Sequence, residues 1–282
     1  MEDKLEGFFT ETDVEILIST MNQDSLDFLV PMFPFLHFSN FRILIINQTQ
    51  IETILESEYA NIRVINSFEK GLSKSRNLAL ETAQGKILLI ADDDVIYHEG
   101  FVAKIINAYN QFPDAAAINF CAVKSDGSLM KNYPKHSKTN MNAFDVFNTS
   151  SIEMTLNKAI LDKTKIRFDE NFGLGGMFEM GEEAIFLFDL KNKKQQLVFE
   201  PEVIVKHPEL TSSSKKSIEE KYYIQGALYT RIFKRNYIYW IFVKLFFDLK
   251  QHKIRFGKLK SALKNSKKGH QKFEKLQHGN KK

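Results

Sequence analysis

The sequence predicts an α/β protein with a mostly parallel central sheet flanked by helices and a helical extension at the C-terminal end. Three observations carry this prediction. Apolar runs recur at residues 14 to 19 (VEILIS), 41 to 46 (FRILII) and 86 to 91 (KILLIA), and they are continuous rather than alternating, which marks strands covered on both faces. Helix-like segments separate them, the rhythm of βαβ units. The 282 residues, 43% hydrophobic and 26% charged, suffice for one large core.

The elements follow in order. After the first two strands, a shorter run at 62 to 65 (IRVI) supplies another. The next helix has Ser73 or Ser75 as N-cap, Leu78, Ala79 and Ala83 on its apolar face, and Gly85 at the position after its end. It feeds the strand at 86 to 91, which runs into Asp92, Asp93 and Asp94. A helix is expected over about 100 to 111, then AAAINFCAV, a Ser125-Asp126-Gly127 turn and SLMKNY as a hairpin. A glycine-rich loop with Gly173, Gly175, Gly176 and Gly181 then leads into an amphipathic helix opened by Glu182 and Glu183, and VIVKH reads as a short strand ending at His207. Serines 212 to 214 mark the boundary between a body, residues 1 to 210, and an extension, residues 211 to 282.

Charge divides at the same place. Residues 211 to 282 hold 19 Lys and Arg against 4 Asp and Glu, a net +15, whereas the first 210 hold 20 against 31, a net −11. An acidic body thus carries a basic tail. Because the basic charge is confined to the tail and no nucleic-acid-binding motif accompanies it, nucleic acid is not an expected partner. The single cysteine, Cys121, excludes an intramolecular disulfide framework and suits a reducing, cytoplasmic setting. The opening MEDKLEGFFTETD lacks the basic-then-apolar order of a secretory signal.

Three consecutive carboxylates at the end of a buried strand need a reason. Two carboxylates about 5 Å apart repel by roughly 3 kcal/mol at an effective dielectric of 20, and a divalent cation reverses that sign. Oxygen ligands suit Mg²⁺ or Mn²⁺, which commonly complete their shells with substrate phosphates. A solvated acidic turn is the alternative. Ligands of open α/β sheets bind beyond the carboxyl ends of strands, where these acids sit.

The ordered pieces EILISTMNQ, LIINQTQ, KGLSKSRNLALETAQGKILLIADDDVIY, FDENFGLGGMFEMGEEAIFLFDL and PEVIVKH resemble those of family 2 glycosyltransferases, over about residues 12 to 208. Order and spacing carry the resemblance, since each piece alone is weak. It implies a GT-A fold, Rossmann-like, and an inverting, metal-dependent transfer from a nucleotide-sugar donor, with a UDP-sugar favoured. A saccharide or lipid-linked acceptor is implied, in bacterial surface-polysaccharide or glycolipid assembly.

The same resemblance assigns roles. Ser19, Thr20 and Asn22, at the end of the first strand, would contact the nucleotide. Where the family has an acid that accepts from the base, this chain has Asn47 and Gln48; an amide oxygen accepts from a uracil or guanine N–H, while its amino group donates. Arg76 and Asn77 would lie near base and diphosphate, or Arg76 would pair with a surface acid. Asp93 would sit near the ribose or a metal-bound water, Asp92 could serve the ribose instead, and Asp94 would ligate the metal. Glu183 would be the general base, one methylene longer than the family's Asp, with Glu182 binding acceptor hydroxyls or orienting the loop. Acids also favour helix N-termini on electrostatic grounds alone. His207 matches the family's C-terminal metal or diphosphate histidine, and its imidazole favours Mn²⁺ over Mg²⁺.

The tail reads in two ways. YIYWIFVKLFF is too short and too interrupted by charge to span a membrane. It is either an amphipathic helix at an anionic inner leaflet, with Tyr237, Tyr239 and Trp240 at the interface and Lys244, Lys250 and Lys253 toward headgroups, or a helix packed on the body before a disordered end. Two other function classes stay open: a catalytically silent GT-A scaffold that binds nucleotide or glycan, and another phosphate-handling enzyme such as a nucleotidyltransferase.

Overall fold

A computed structural model describes residues 9 to 51, 53 to 207 and 216 to 279. Its strands are β1 (Val14–Met21), β2 (Ile43–Gln48), β3 (Ile62–Ser67), β4 (Ile87–Asp92), β5 (Ile96–Tyr97), β6 (Ala115–Val123), β7 (Met154–Asn157) and β8 (Gln196–Lys206). The helices are α1 (Leu29–Met32), α2 (Leu72–Thr82), α3 (Phe101–Gln111), α4 (Ala143–Phe147), α5 (Lys158–Thr164), α6 (Glu182–Asn192), α7 (Ile218–Phe233), α8 (Tyr237–Lys250) and α9 (Leu259–Gly279). One sheet holds the strands in the order β3-β2-β1-β4-β7-β6-β8-β5. Strands β3, β2, β1 and β4 are mutually parallel, β7 runs against β4 and β6, and β8 is parallel to β6. The expected mostly parallel α/β sheet is therefore present.

The continuous apolar runs have a direct cause. Alternate residues of one strand enter opposite layers: Ile16 and Ile18 pack with Leu89, Tyr97 and Phe101, while Leu17 between them packs with Leu44, Leu88 and Phe186. Both faces are dry, so neither admits a polar alternation. Register places Ser19 beside Asp92 and Ile46, and Thr20 beside Asn47. The carboxyl ends of β1, β2 and β4 thus form one rim.

Several local expectations need correction. Gly71, at φ 128°, is the residue that starts α2, and neither Ser73 nor Ser75 caps it; both hydroxyls reach instead to distant partners, Phe172 O at 2.5 Å and Ser19 Oγ at 2.9 Å. Gly85 does not sit immediately after the helix, which closes at Ala83. A Cβ there would lie 2.5 Å from the Cβ of Glu15, so close approach to β1 is what requires glycine. The SLMKNY segment makes no strand, only a single bridge between Val123 and Leu129 beyond the turn. Helix α6 is not amphipathic: Ala184, Phe186, Leu187, Phe188 and Leu190 face the sheet layer, while Ile185 packs with the C-terminal helices. It is a helix covered on both sides. The last strand is longer than read, with His207 directly after it.

The boundary expected at residues 210 to 214 lies outside the described residues. The extension itself packs on the body. Phe172, Phe178 and Ile185 share one cluster with Tyr222, Leu228, Ile241 and Phe273, and Arg231 of α7 pairs with Asp169 at 2.8 Å and Asp189 at 2.7 Å. Tyr237 and Trp240, expected at a lipid interface, face inward: Tyr237 stacks on His270 at 4.0 Å and Trp240 on Phe233 at 4.3 Å. Lys244 pairs with Asp248 one turn on. Among the described residues no helix is long and apolar enough to cross a membrane.

Helix α9 lies backbone to backbone against α7. A Cβ on Gly226 would meet Ser266 O at 1.9 Å, and one on Gly269 would meet Tyr223 O at 1.8 Å. Gly226→Ala is therefore expected to destabilise the fold by about 1 to 3 kcal/mol, the usual cost of forced overpacking. Gly257→Ala, where nothing lies within 4 Å, should be near neutral. Urea melts of the two variants check the contrast, and equal midpoints would show that the α7–α9 contact is not tight.

Candidate active site

The site grows from one buried charge. Arg76 enters from α2 and its side chain is 2% exposed. Its guanidinium donates to Glu182 Oε1 at 3.0 Å and Asp92 Oδ1 at 3.1 Å, with Glu183 Oε1 at 3.7 Å. A guanidinium buried without such partners would be prohibitively desolvated; the three carboxylates offset that cost. In return Arg76 fixes the end of β4 and the start of α6 in one place. The Phe168 ring lies 5.6 Å from its central carbon.

The three aspartates diverge. Asp92 goes to Arg76; Asp93 accepts from Thr20 Oγ and from Gln23 Nε2 at 3.4 Å; Asp94 faces His207, Oδ1 to Nε2 3.3 Å. That hydrogen bond holds the Asp94 carboxyl below its ordinary range. The backbone N–H of His207 donates to Val123 O at 3.0 Å and places the residue. Three adjacent side chains of one polarity thus serve three directions, which separates their charges.

Around them opens a cavity of about 460 Å³ lined by Ser19, Arg76, Asp92, Asp93, Asp94, Glu182, Glu183 and His207. Ser19 and Thr20 are buried at the strand end, and Asn22 is exposed with a left-handed backbone, φ 54°. A second cavity of about 910 Å³ lies between the body and the C-terminal helices. Met130, Thr149 and Glu183 line both. Glu183, with its side chain 19% exposed, therefore stands in the wall where the two meet.

Four of the expected site residues have partners within the protein. Asn47, fully buried, accepts from Gln23 N at 3.1 Å and donates to Gln23 O at 2.9 Å and Asn66 Oδ1 at 3.0 Å. Gln48 accepts from Gly71 N at 2.7 Å. These amides tie the rim together. Asn77 donates to Phe168 O at 3.0 Å and accepts from Phe168 N at 2.8 Å, so it clamps the loop before α6. Glu182 is 4% exposed and accepts from Arg76, a bond that ties the start of α6 to α2. Gln23 supports Asp93 and Asn47, which the sequence did not reveal because nothing local sets it apart from other polar loop residues.

The glycine loop is docked rather than free. Leu72 N donates to Leu174 O at 2.8 Å, and Gly181, at φ 97°, begins α6 with Leu228 of α7 only 2.9 Å from where a Cβ would stand. Glycine there permits both the left-handed turn and the contact. Burial pushes the Cys121 thiol up to about 12, which makes it no nucleophile.

Among the described residues no group of three or more His, Cys, Asp or Glu side chains is placed to hold a metal. Asp94 and His207 do suit a cation that takes its remaining ligands from a substrate. Their carboxylate and imidazole are donors of the kind that Mn²⁺ accepts, and the structure brings them within 3.3 Å of each other.

Fold and site together define an α/β protein whose ligand cavity lies beyond the carboxyl ends of parallel strands, faced by an acidic triplet and a glycine-rich loop. The family model described as "Glycosyl transferase family 2" matches residues 15–178, more than half of the sequence, and the chain belongs to that family. The fold is similar to S. aureus TarS 1-349 in complex with UDP-GlcNAc, with TM-score 0.54, 16% identity, and coverage of 77% of this chain and 66% of that one. TarS 1-349 in a separate crystal structure gives TM-score 0.52 and 14% identity, again over 77% of this chain, and this chain spans 64% of that one and 39% of a longer TarS chain. At such identities the likeness is one of fold, GT-A. No curated protein matches the chain.

Burial, reinforced by the charge of Glu183, pushes the Glu182 carboxyl up to about 8 against the pull of Arg76. A folded pKa above the unfolded one favours folding fully below the ordinary glutamate range, and this contribution declines until pH passes about 8. Glu182→Gln, which keeps an acceptor for Arg76, should therefore gain stability relative to the wild type between pH 5 and pH 8. Denaturant melts across that range check it, and parallel profiles would contradict it.

Proposed function

We propose that this family 2 glycosyltransferase transfers a sugar from a nucleoside diphosphate donor, a UDP-sugar in the first place, to a saccharide or lipid-linked acceptor, with inversion at the anomeric carbon. The observation that carries this reading is Glu183 in the wall common to the two cavities. A carboxylate there can accept the acceptor's hydroxyl proton while a donor lies on the other side. The acceptor oxygen attacks the anomeric carbon from the face opposite the diphosphate. One C–O bond forms as the other breaks, the nucleoside diphosphate leaves with the electron pair, and the proton stays on Glu183.

The other residues position and hold. Asp93, supported by Thr20 and Gln23, and the exposed Asn22 are the groups on the rim left to meet ribose and base, since Asn47 and Gln48 are bonded within the protein. Arg76 acts through the carboxylates it fixes. Asp94 and His207 would hold Mn²⁺ or Mg²⁺ together with diphosphate oxygens, and such an ion supplies neutralisation of the leaving group's charge. A silent scaffold would bind nucleotide equally well, so turnover separates the two readings. Asp94→Ala should lose a Mn²⁺-dependent UDP thermal shift, whereas Glu183→Gln should keep that shift and lose at least about a hundredfold of transfer or donor hydrolysis, the size of a general-base contribution. Unchanged UDP binding in Asp94→Ala, or full activity in Glu183→Gln, would sink the assignment.

A peripheral site at an anionic membrane also fits, through a face of α8 that keeps Tyr239, Lys250 and Lys253 of the expected one. Ile238, Tyr239, Phe242 and Phe246 are 42%, 64%, 55% and 61% exposed, and exposed Arg235, Lys250 and Lys253 lie at the two ends of the helix. Apolar rings between basic residues suit the headgroup boundary of anionic lipid. The setting would be the assembly of bacterial surface polysaccharide or glycolipid. In flotation assays the protein should rise with phosphatidylglycerol vesicles and not with phosphatidylcholine ones, and a Phe242→Ser, Phe246→Ser double variant should stay in the pellet fraction. Equal flotation of variant and wild type would remove this role.

A further inference from the structure

The larger cavity has no role in the donor chemistry, yet it shares Glu183 with the donor cavity. We propose that it is the acceptor subsite and that it takes the hydroxyl-rich end of a saccharide, with α8 as its aromatic wall. The inference rests on the transferase reading above.

The shape of α8 argues for it. At 3.6 residues per turn the helix divides into three faces. Ile241 and Leu245 enter the core, Ile238, Phe242 and Phe246 face outward, and Trp240, Lys244, Phe247 and Gln251 line the cavity. The last face alternates ring and polar side chain. Phe144 from α4 meets it at 5.7 Å from Phe247 and 5.9 Å from Trp240, and Phe144 is 53% exposed. Aromatic surface of this kind suits the C–H faces of a sugar ring.

The polar inventory decides the ligand class. Asn119 and Gln225 line the cavity, are 2% and 8% exposed, and carry buried side-chain oxygens, Oδ1 and Oε1, without a partner among the described residues. Each is an acceptor that asks for an O–H or N–H donor. The walls also hold two ion pairs, Lys131 with Glu153 at 2.9 Å and Lys244 with Asp248. A hydrocarbon chain would leave these groups desolvated without compensation, whereas a saccharide offers hydroxyls to the oxygens and C–H faces to the rings. The volume of about 910 Å³ stands near the top of the roughly 300 to 1,000 Å³ range of small-molecule sites, which points to an oligosaccharide end rather than a single sugar.

Trp240 is the only tryptophan of the chain and lines this cavity and not the donor cavity, so its emission reports on the subsite alone. The experiment titrates the full chain, saturated with UDP and Mn²⁺, with a set of probes: methyl glycosides of glucose, galactose and N-acetylglucosamine, their β-linked trisaccharides, and decanol. A saturable change of Trp240 emission with at least one trisaccharide is expected, tighter than with its methyl glycoside. Phe247→Ala and Gln225→Leu should each weaken it by about tenfold. Gln225→Leu removes a buried oxygen that has no partner, so its thermal midpoint should not fall, which separates a binding role from a structural one. If UDP shifts the thermal midpoint and no saccharide changes the emission, if decanol alone does, or if Gln225→Leu binds as the wild type, the subsite is overturned while the transferase reading stands. If UDP itself produces no shift, the transferase reading fails first.

Discussion

The guanidinium of Arg76 is the constraint on which the site depends. It is buried, and a buried cation is tolerated only when carboxylates surround it. Those carboxylates come from two elements far apart in sequence, the end of β4 and the start of α6. Satisfying one charge therefore brings the acidic triplet against the glycine loop, and with it sets the position of Glu183. The desolvation that raises Glu182 is part of the same arrangement: it makes Glu182 a fixed internal partner and leaves Glu183, one residue on and half turned to the cavities, as the carboxylate open to chemistry.

The second consequence is a division of labour among neighbours. Asp92, Asp93 and Asp94 would repel if they shared one direction; the strand end and the turn after it send them to Arg76, to Thr20 and Gln23, and to His207. Each acid is stabilised by a different kind of group, a guanidinium, a hydroxyl with an amide, and an imidazole. The extension adds a further layer. Because α9 lies against α7 through Gly226 and Gly269, and α7 holds α6 through Arg231 and Leu228, the C-terminal helices are part of the site's scaffold, and α8 closes a cavity that the body alone leaves open.

The sheet was legible because parallel strands covered on both faces leave an unmistakable continuous apolar run. The acidic triplet was legible because the conflict it poses is local. The intraprotein partners of Asn47, Gln48 and Asn77 were not legible, because an amide at a strand or helix end looks the same in sequence whatever it bonds, and the partners, Gln23, Gly71 and Phe168, lie 23 to 91 residues away. Glycines misled likewise. Gly85 resembles a helix terminator, and only the packing of Glu15 shows that close approach is its purpose. The second cavity could not be read at all, since Asn119, Phe144, Gln225 and Phe247 meet only in the folded chain.

The claim that Glu183 activates an oxygen on the face opposite the leaving diphosphate is tested most directly by the anomeric outcome of turnover. Proton NMR of donor hydrolysis, with water as acceptor and an α-configured UDP-sugar that binds, reports the first sugar released before mutarotation. The account predicts the β anomer first. An α anomer first, or no turnover of a donor that binds, would contradict it.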